Sequence, residues 1–247
     1  MSKHVVFVVG EGEYESERTM PALAQELAQK HGFKTTVLLD NHIKKDAWSP
    51  KAGERLSDIP GLEALKNADL AVFYLRFRTL PENQLALIDA YVKSGRPVAG
   101  FRTSTHSFNY AADDKLAAWN KFGAEVLGAP WIKHYGHDSS SEIAVIPSQH
   151  AHPVLAGVPA EFHVRSWLYQ VRPEYPPADA TWLLEGTSVG PGDVELAKRD
   201  KNPVAWVRKT KAGGRVFFTT LGHPEDFTLP AVRTVALNGL AWAAGAL

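Results

Sequence analysis

Residues 97–108, P-V-A-G-F-R-T-S-T-H-S-F, decide the fold. A short apolar run, 97–101, breaks off into five consecutive polar residues: Arg102, Thr103, Ser104, Thr105 and His106. The run reads as a strand buried on both faces, and the polar residues as the loop past its carboxyl end. In an open parallel sheet, ligands bind just beyond such ends.

Moving outward, the same unit recurs. Residues 70–75, L-A-V-F-Y-L, form another buried strand that ends in Arg76-Phe77-Arg78. Between the two strands Pro81 opens a helix to about Lys93, with Leu85, Ile88 and Val92 at helical spacing and Gly95 as its stop. Nearer the start, 5–9 is a continuous Val/Phe strand, followed by a polar loop over 10–16. A helix is predicted over 20–31, with Pro21 in its first turn and Gly32 as its stop, then a strand over 35–39. The charged, turn-rich stretch 41–60 reads as an exposed loop at a pocket rim. This β-α-β-α order predicts parallel strands with helices on both faces. The second half is strand-rich, with candidates at 142–146, 162–171, 181–184, 204–207 and 215–220. A turn at 211–214, K-A-G-G, joins the last two, and Thr228 is placed to cap a final helix over 230–243. With no repeat, low-complexity tract or linker, 1–247 reads as one α/β domain.

Composition bounds the function. Formal net charge is zero, with no basic stripe, so there is no footprint for a nucleic-acid backbone. No apolar run reaches 18 residues, so no membrane span is expected. The apolar run at the start is too short for a signal peptide, and a cytoplasmic location is expected. The chain has no cysteine, which excludes disulfides and thiol chemistry. No nucleotide-cofactor signature is present.

Four clusters carry chemistry. Past residue 101, Arg102 is a fixed cation for a carboxylate or a pair of hydroxyls, and His106 is a candidate base, acid or metal ligand. Thr103, Ser104 and Thr105 are equally read as turn formers. In W-I-K-H-Y-G-H, 131–137, His134 and His137 stand three apart, a spacing for one metal or for a sugar pocket beside Trp131 and Tyr135. His150 and His152 fall in a Pro-flanked segment and are read as loop residues. In T-T-L-G-H-P-E-D, 219–226, His223 ends a strand and Glu225 is placed to orient its imidazole. Glu11, Glu13 and Tyr14 after the first strand, and Arg76 and Arg78 after the third, gather at the same sheet edge if the strands are parallel. Carboxylates, guanidinium groups and histidines in one cleft suit a polyhydroxylated or anionic ligand. Glu15 and Glu17 read as favourable charges near a helix N-terminus.

The ordered segments G-E-G-E-Y-E-S-E, A-D-L-A-V-F-Y-L-R-F-R-T-L-P, G-R-P-V-A-G-F-R-T-S-T-H-S-F, W-I-K-H-Y-G-H, H-P-V-L-A-G-V, N-P-V-A-W-V-R, R-V-F-F-T-T-L-G-H and N-G-L-A-W-A-A-G resemble the ThuA-like (trehalose utilisation) family. That family lies within the class I glutamine amidotransferase-like superfamily. The resemblance spans nearly the whole chain and implies a flavodoxin-like, mostly parallel sheet with its site at the fourth-strand elbow. True amidotransferases carry a cysteine there and a later H-x-E. His223-Pro224-Glu225 matches the latter, but the elbow holds Arg102 and Thr103, so glutamine hydrolysis through a thioester is excluded. The resemblance implies a carbohydrate ligand: a disaccharide, sugar or keto-sugar derivative.

The leading expectation is an enzyme of carbohydrate utilisation. His106, His134, His137, His223 and Glu225 would act as acid/base groups, and Glu13, Tyr14, Arg76, Arg102 and Thr103 would bind substrate. A divalent metal such as Zn²⁺ would sit on His106, His134 and His137. One rival is a Ser/Thr hydrolase with Ser104 or Thr103 as nucleophile and His223 as base, although no G-x-S-x-G is present. The other is a non-catalytic carbohydrate sensor or binding module. The partner expected is a small carbohydrate, with no nucleic acid or membrane and a homo-oligomer open.

Overall fold

Val5, Val6, Phe7, Val8 and Val9 are all completely buried. That requires a strand covered on both faces, and β1 (His4–Gly10) is one, lying between β2 (Lys34–Leu39) and β3 (Leu70–Leu75) and parallel to both. The computed structural model describes residues 2–43, 51–53, 57–191 and 198–247. Much of the predicted rim loop, residues 44–50 and 54–56, therefore lies outside the described residues.

β4 (Val98–Phe101) pairs parallel with β3, and β11 (Arg215–Thr219) pairs parallel with β4. The sheet continues antiparallel through β10 (Asn202–Lys209), β9 (Thr181–Val189), β6 (Ser140–Val145) and β7 (Glu161–Val164). Its order is β2-β1-β3-β4-β11-β10-β9-β6-β7, a flavodoxin-like parallel half extended by four antiparallel strands. A separate ribbon pairs β5 (Lys133–His134) with β8 (Tyr169–Gln170), setting His134 opposite Tyr169.

Strand alternation sorts the core. Val5, Phe7, Val9, Val72 and Phe217 pack with α1 (Ser16–His31) and α3 (Pro230–Ala243) on one face. Val6, Val8, Phe73, Val98 and Phe218 pack with α2 (Glu82–Lys93) on the other. Each large side chain buried this way contributes about 1.5–3 kcal/mol. Among the described residues no helix is long and apolar enough to cross a membrane.

Three expectations need correction. Helix α1 starts at Ser16, so Pro21 lies inside it rather than in its first turn. The start is fixed by the left-handed Glu15 (φ 51°) and by the Ser16 hydroxyl, which donates to the Glu11 carbonyl. Burial of Thr19, Met20 and Leu23 then holds the helix despite the missing N–H. The strand expected over 162–171 splits into β7 and β8, because the Arg165 and Ser166 N–H groups donate to Asp226 Oδ1 (3.0 and 3.1 Å) instead of to a neighbouring strand. Thr228 does not cap α3: its hydroxyl donates to the Glu225 carbonyl at 2.7 Å, and Leu229 is the N-cap.

Candidate functional site

The parallel strands β1, β3, β4 and β11 deliver their carboxyl ends to one edge, as the topology requires. Among the described residues the three non-glycine residues with positive φ, Glu15 (51°), Phe77 (54°) and Arg102 (37°), follow β1, β3 and β4. Backbone strain is thus concentrated at this edge, the pattern of a site whose geometry is held by its surroundings.

Past β4 the chain turns sharply into a 3-10 turn, Arg102–His106. Arg102 takes the strained first position, the strand-to-helix corner of a nucleophile elbow. Its guanidinium is fully buried. It lies 4.6 Å from the Tyr14 ring, 4.8 Å from Tyr169 and 5.0 Å from Trp167. Nη1 donates to the Thr220 carbonyl at 2.9 Å, and Nε has no partner. Among the described residues Arg102 makes no ion pair. Gly222 makes room for this packing, since a Cβ there would stand 3.0 Å from Arg102 Cβ and 2.7 Å from the Tyr74 hydroxyl. Arg102, read from the sequence as a substrate-binding residue, is a cation enclosed by three aromatic rings.

Two of the three elbow hydroxyls, those of Ser104 and Thr105, bond to backbone groups. Ser104 Oγ donates to the Phe73 carbonyl (2.8 Å) and accepts from Leu75 N–H (3.2 Å), tying the elbow to β3. Ser104 therefore does not present a nucleophile. Thr105 Oγ1 donates to the Arg102 carbonyl at 3.2 Å. Thr103 Oγ1 is buried without a partner.

After β1, the Glu11 carboxylate accepts N–H groups of Glu13 (2.6 Å) and Tyr14 (2.8 Å). Burial pushes its carboxyl up to about 8 against those bonds, so it is protonated near neutral pH. Glu13 Oε2 lies 2.8 Å from Arg76 Nε, so two expected ligand groups are paired with each other. Arg78 is wholly buried, with Nε donating to the Gly10 carbonyl (2.5 Å) and Nη1 to Asp40 (3.3 Å), and is structural.

After β11, Asp226 is completely buried. Its oxygens accept from the N–H groups of Arg165, Ser166, Gly222 and His223 and from the Ser166 hydroxyl. This carboxylate clamps the β7–β8 segment to the His223 turn. His223 Nδ1 accepts the Glu225 N–H at 3.2 Å, while the Glu225 carboxylate stands 4.0 Å away and mostly exposed. Neutral His223 therefore carries its proton on Nε2, the reverse of a triad histidine. Burial lowers its pKa, with Arg102 and Arg165 adding to the effect, so the neutral form prevails at pH 7.

The four expected histidines do not form one cluster. His134 and His137 stand 4.6 Å apart between ring centroids, and His106 lies 5.6 Å from Trp131, itself 6.4 Å from His134. His223 reaches them only through Trp167, which is 6.0 Å from His223, 5.6 Å from His134 and 4.7 Å from His137. Burial, with Arg76 and Arg102, holds the His106 pKa well below its ordinary value. His134 Nδ1 donates to the Tyr135 carbonyl at 2.9 Å. Among the described residues no three His, Cys, Asp or Glu side chains gather as a metal site. The donor set His106, His134 and His137 therefore does not fit a divalent cation. His152 packs on Trp242 of α3, 5.5 Å between ring centroids, in the loop role read for it.

A cavity of about 400 Å³ opens at this edge, lined by Glu13, Tyr14, Arg18, Trp167, His223 and Glu225. A larger apolar groove of about 560 Å³ lies elsewhere, beside α2 and Ala212. Its walls include Leu85, Trp119, Phe122 and Val126, and it lacks the histidines and strained turns of the sheet edge. Trp167, Tyr169 and Asp226 are the site residues the sequence reading missed. The first two lie inside the segment 162–171 read as one strand, and nothing local in the sequence marks Asp226, whose hydrogen bonds reach back to Arg165 and Ser166. The ring-rich run S-W-L-Y, 166–169, was the available signal.

The family model for ThuA, described as trehalose utilisation, matches residues 4–243. No curated protein sequence matches the chain. A crystal structure of a ThuA-like protein from Bacteroides uniformis is similar at 16% identity and a TM-score of 0.65, covering 98% of this chain and 91% of its own. One from Parabacteroides merdae is similar at 15% identity and a TM-score of 0.67, covering 99% of this chain and 90% of its own. At these identities the two structures establish the shared fold. Matched over nearly its full length, the chain belongs to the ThuA family.

Proposed function

We propose that this protein binds a sugar or keto-sugar derivative at the carboxyl edge of its sheet and acts on it by histidine-based acid/base chemistry. The observation that carries the reading is the cavity wall, where Tyr14 and Trp167 stand beside Glu13, Glu225 and His223. Aromatic rings cover the apolar face of a sugar, while carboxylates and imidazoles meet its hydroxyls. Membership of a family described by trehalose utilisation supports the same ligand class. His223, neutral with its proton on Nε2, is suited to donate a hydrogen bond to a sugar oxygen. Glu13, held by Arg76, is the carboxylate placed to accept a proton.

A binding module without turnover is the second reading. It is favoured by the His223 tautomer, which leaves the Nδ1 side without the carboxylate contact that a proton relay uses. Calorimetry with trehalose, maltose, cellobiose and glucose, followed by product analysis of the incubated sugar, separates the two. Saturable binding with a new product supports the enzyme, and binding with the sugar unchanged supports the module. Absence of binding across the panel refutes both.

A further inference from the structure

Six tyrosines are buried, and five of them engage their hydroxyls within the chain. Tyr74 donates to the Gly222 carbonyl (2.8 Å), Tyr91 to Pro97 (2.7 Å), Tyr110 to Leu80 (2.6 Å) and Tyr135 to Asp200 (3.3 Å). Tyr14 accepts a long bond, 3.5 Å, from Arg102. Tyr169 is only 2% exposed; no hydrogen bond among the described residues involves its hydroxyl, and that oxygen is not one of the sealed, unpartnered polar atoms, so it stays reachable by solvent. A phenol whose ring is buried while its oxygen stays reachable and unpaired calls for an explanation.

The surroundings supply one. The Tyr169 ring lies 4.8 Å from the Arg102 guanidinium, and its strand places it opposite His134. Arg102, Glu13, Arg76 and Glu11 all act electrostatically on its phenol. Burial pushes that phenol up to about 12, with Arg102 and Arg76 pulling against the rise, while Tyr14 is raised further. Arg102 links Tyr169 to the cavity, since the cavity-lining Tyr14 and Trp167 flank the same guanidinium at 4.6 and 5.0 Å. Trp167, another cavity residue, likewise has an unpartnered indole N–H.

We propose that Tyr169 is a ligand-contacting residue, its O–H donating to an oxygen of the bound sugar in a subsite bounded by Arg102, Arg76 and Glu13. For the class of ligand this rests on the carbohydrate reading above. For the availability of the hydroxyl it rests on geometry alone. Arg102 then has a defined role: it holds the Tyr169, Tyr14 and Trp167 rings around the ligand without touching it.

Tyr169→Phe deletes only an O–H that has no partner in the protein. Its melting temperature is expected within about 1 °C of the parent, whereas Tyr74→Phe falls by roughly 2–6 °C because it loses a hydrogen bond. Trehalose affinity in Tyr169→Phe is expected to drop about tenfold or more. A drop in melting temperature like that of Tyr74→Phe overturns the proposal, as does unchanged sugar affinity. If the parent binds no sugar of the panel, the carbohydrate reading fails and tetranitromethane decides the hydroxyl. Nitration of Tyr169 ahead of the other five buried tyrosines upholds its availability, and nitration only after them refutes it.

Discussion

Glu11 offers the sharpest prediction, because its burial has a consequence with a definite sign. In the unfolded chain this carboxyl titrates near 4.5, and in the fold burial pushes it up to about 8. Between those values the folded state holds one proton more than the unfolded state. Stability from this group is therefore fully present below 4.5 and lost as pH rises to 8. The slope is about 1.4 kcal/mol per pH unit, so the loss between pH 5 and pH 8 is about 4 kcal/mol at most. Glu11→Gln removes the titration and keeps one acceptor for the Glu13 and Tyr14 N–H groups. Loss of the other acceptor costs about 1–3 kcal/mol, independent of pH. Urea unfolding of parent and variant at pH 5, 6, 7 and 8 isolates the effect, because the other titrations cancel in the difference. The variant is expected to gain on the parent steadily as pH rises. A pH-independent difference between the two would refute the buried, protonated Glu11.

Other perturbations test other parts of the site. Asp226→Asn removes the carboxylate that joins the Arg165–Ser166 segment to the His223 turn, and should cost about 2–4 kcal/mol in urea unfolding. Ser104→Ala should cost about 1 kcal/mol and leave sugar turnover or binding intact, because its hydroxyl serves the backbone of β3. A fluorophosphonate should label neither parent nor Ser104→Ala, and labelling lost in the variant would restore the serine nucleophile. Trp167→Phe, which keeps an aromatic ring but loses area and the indole N–H, should weaken trehalose binding about three- to tenfold in calorimetry.

The parallel half was legible because Val5–Val9, Leu70–Leu75 and Val98–Phe101 are buried on both faces, and only a covered strand tolerates such unbroken apolar runs. The placing of Arg102, His106 and His223 at one edge followed from the same topology. What failed depends on contacts distant in sequence. Asp226 draws away the N–H groups of Arg165 and Ser166, some 60 residues earlier. The segment 162–171 therefore breaks where its own pattern shows no break. That break turns Trp167 between the histidines and sets Tyr169 beside Arg102. Local spacing suggested a single histidine cluster, but the geometry divides it with an indole. The enclosure of Arg102 was not legible because the rings around it come from two segments distant in sequence, Tyr14 on one side and Trp167 and Tyr169 on the other.

The central claim is that a sugar sits against Tyr14 and Trp167 at the carboxyl edge of the sheet. A crystal structure of the protein soaked in trehalose, or in whichever panel sugar binds in calorimetry, tests it most directly. The account predicts a sugar ring on Trp167 with hydroxyls within hydrogen-bond distance of His223 and Glu13. A sugar lodged instead in the apolar groove beside α2, with the cavity at Trp167 empty, would contradict it.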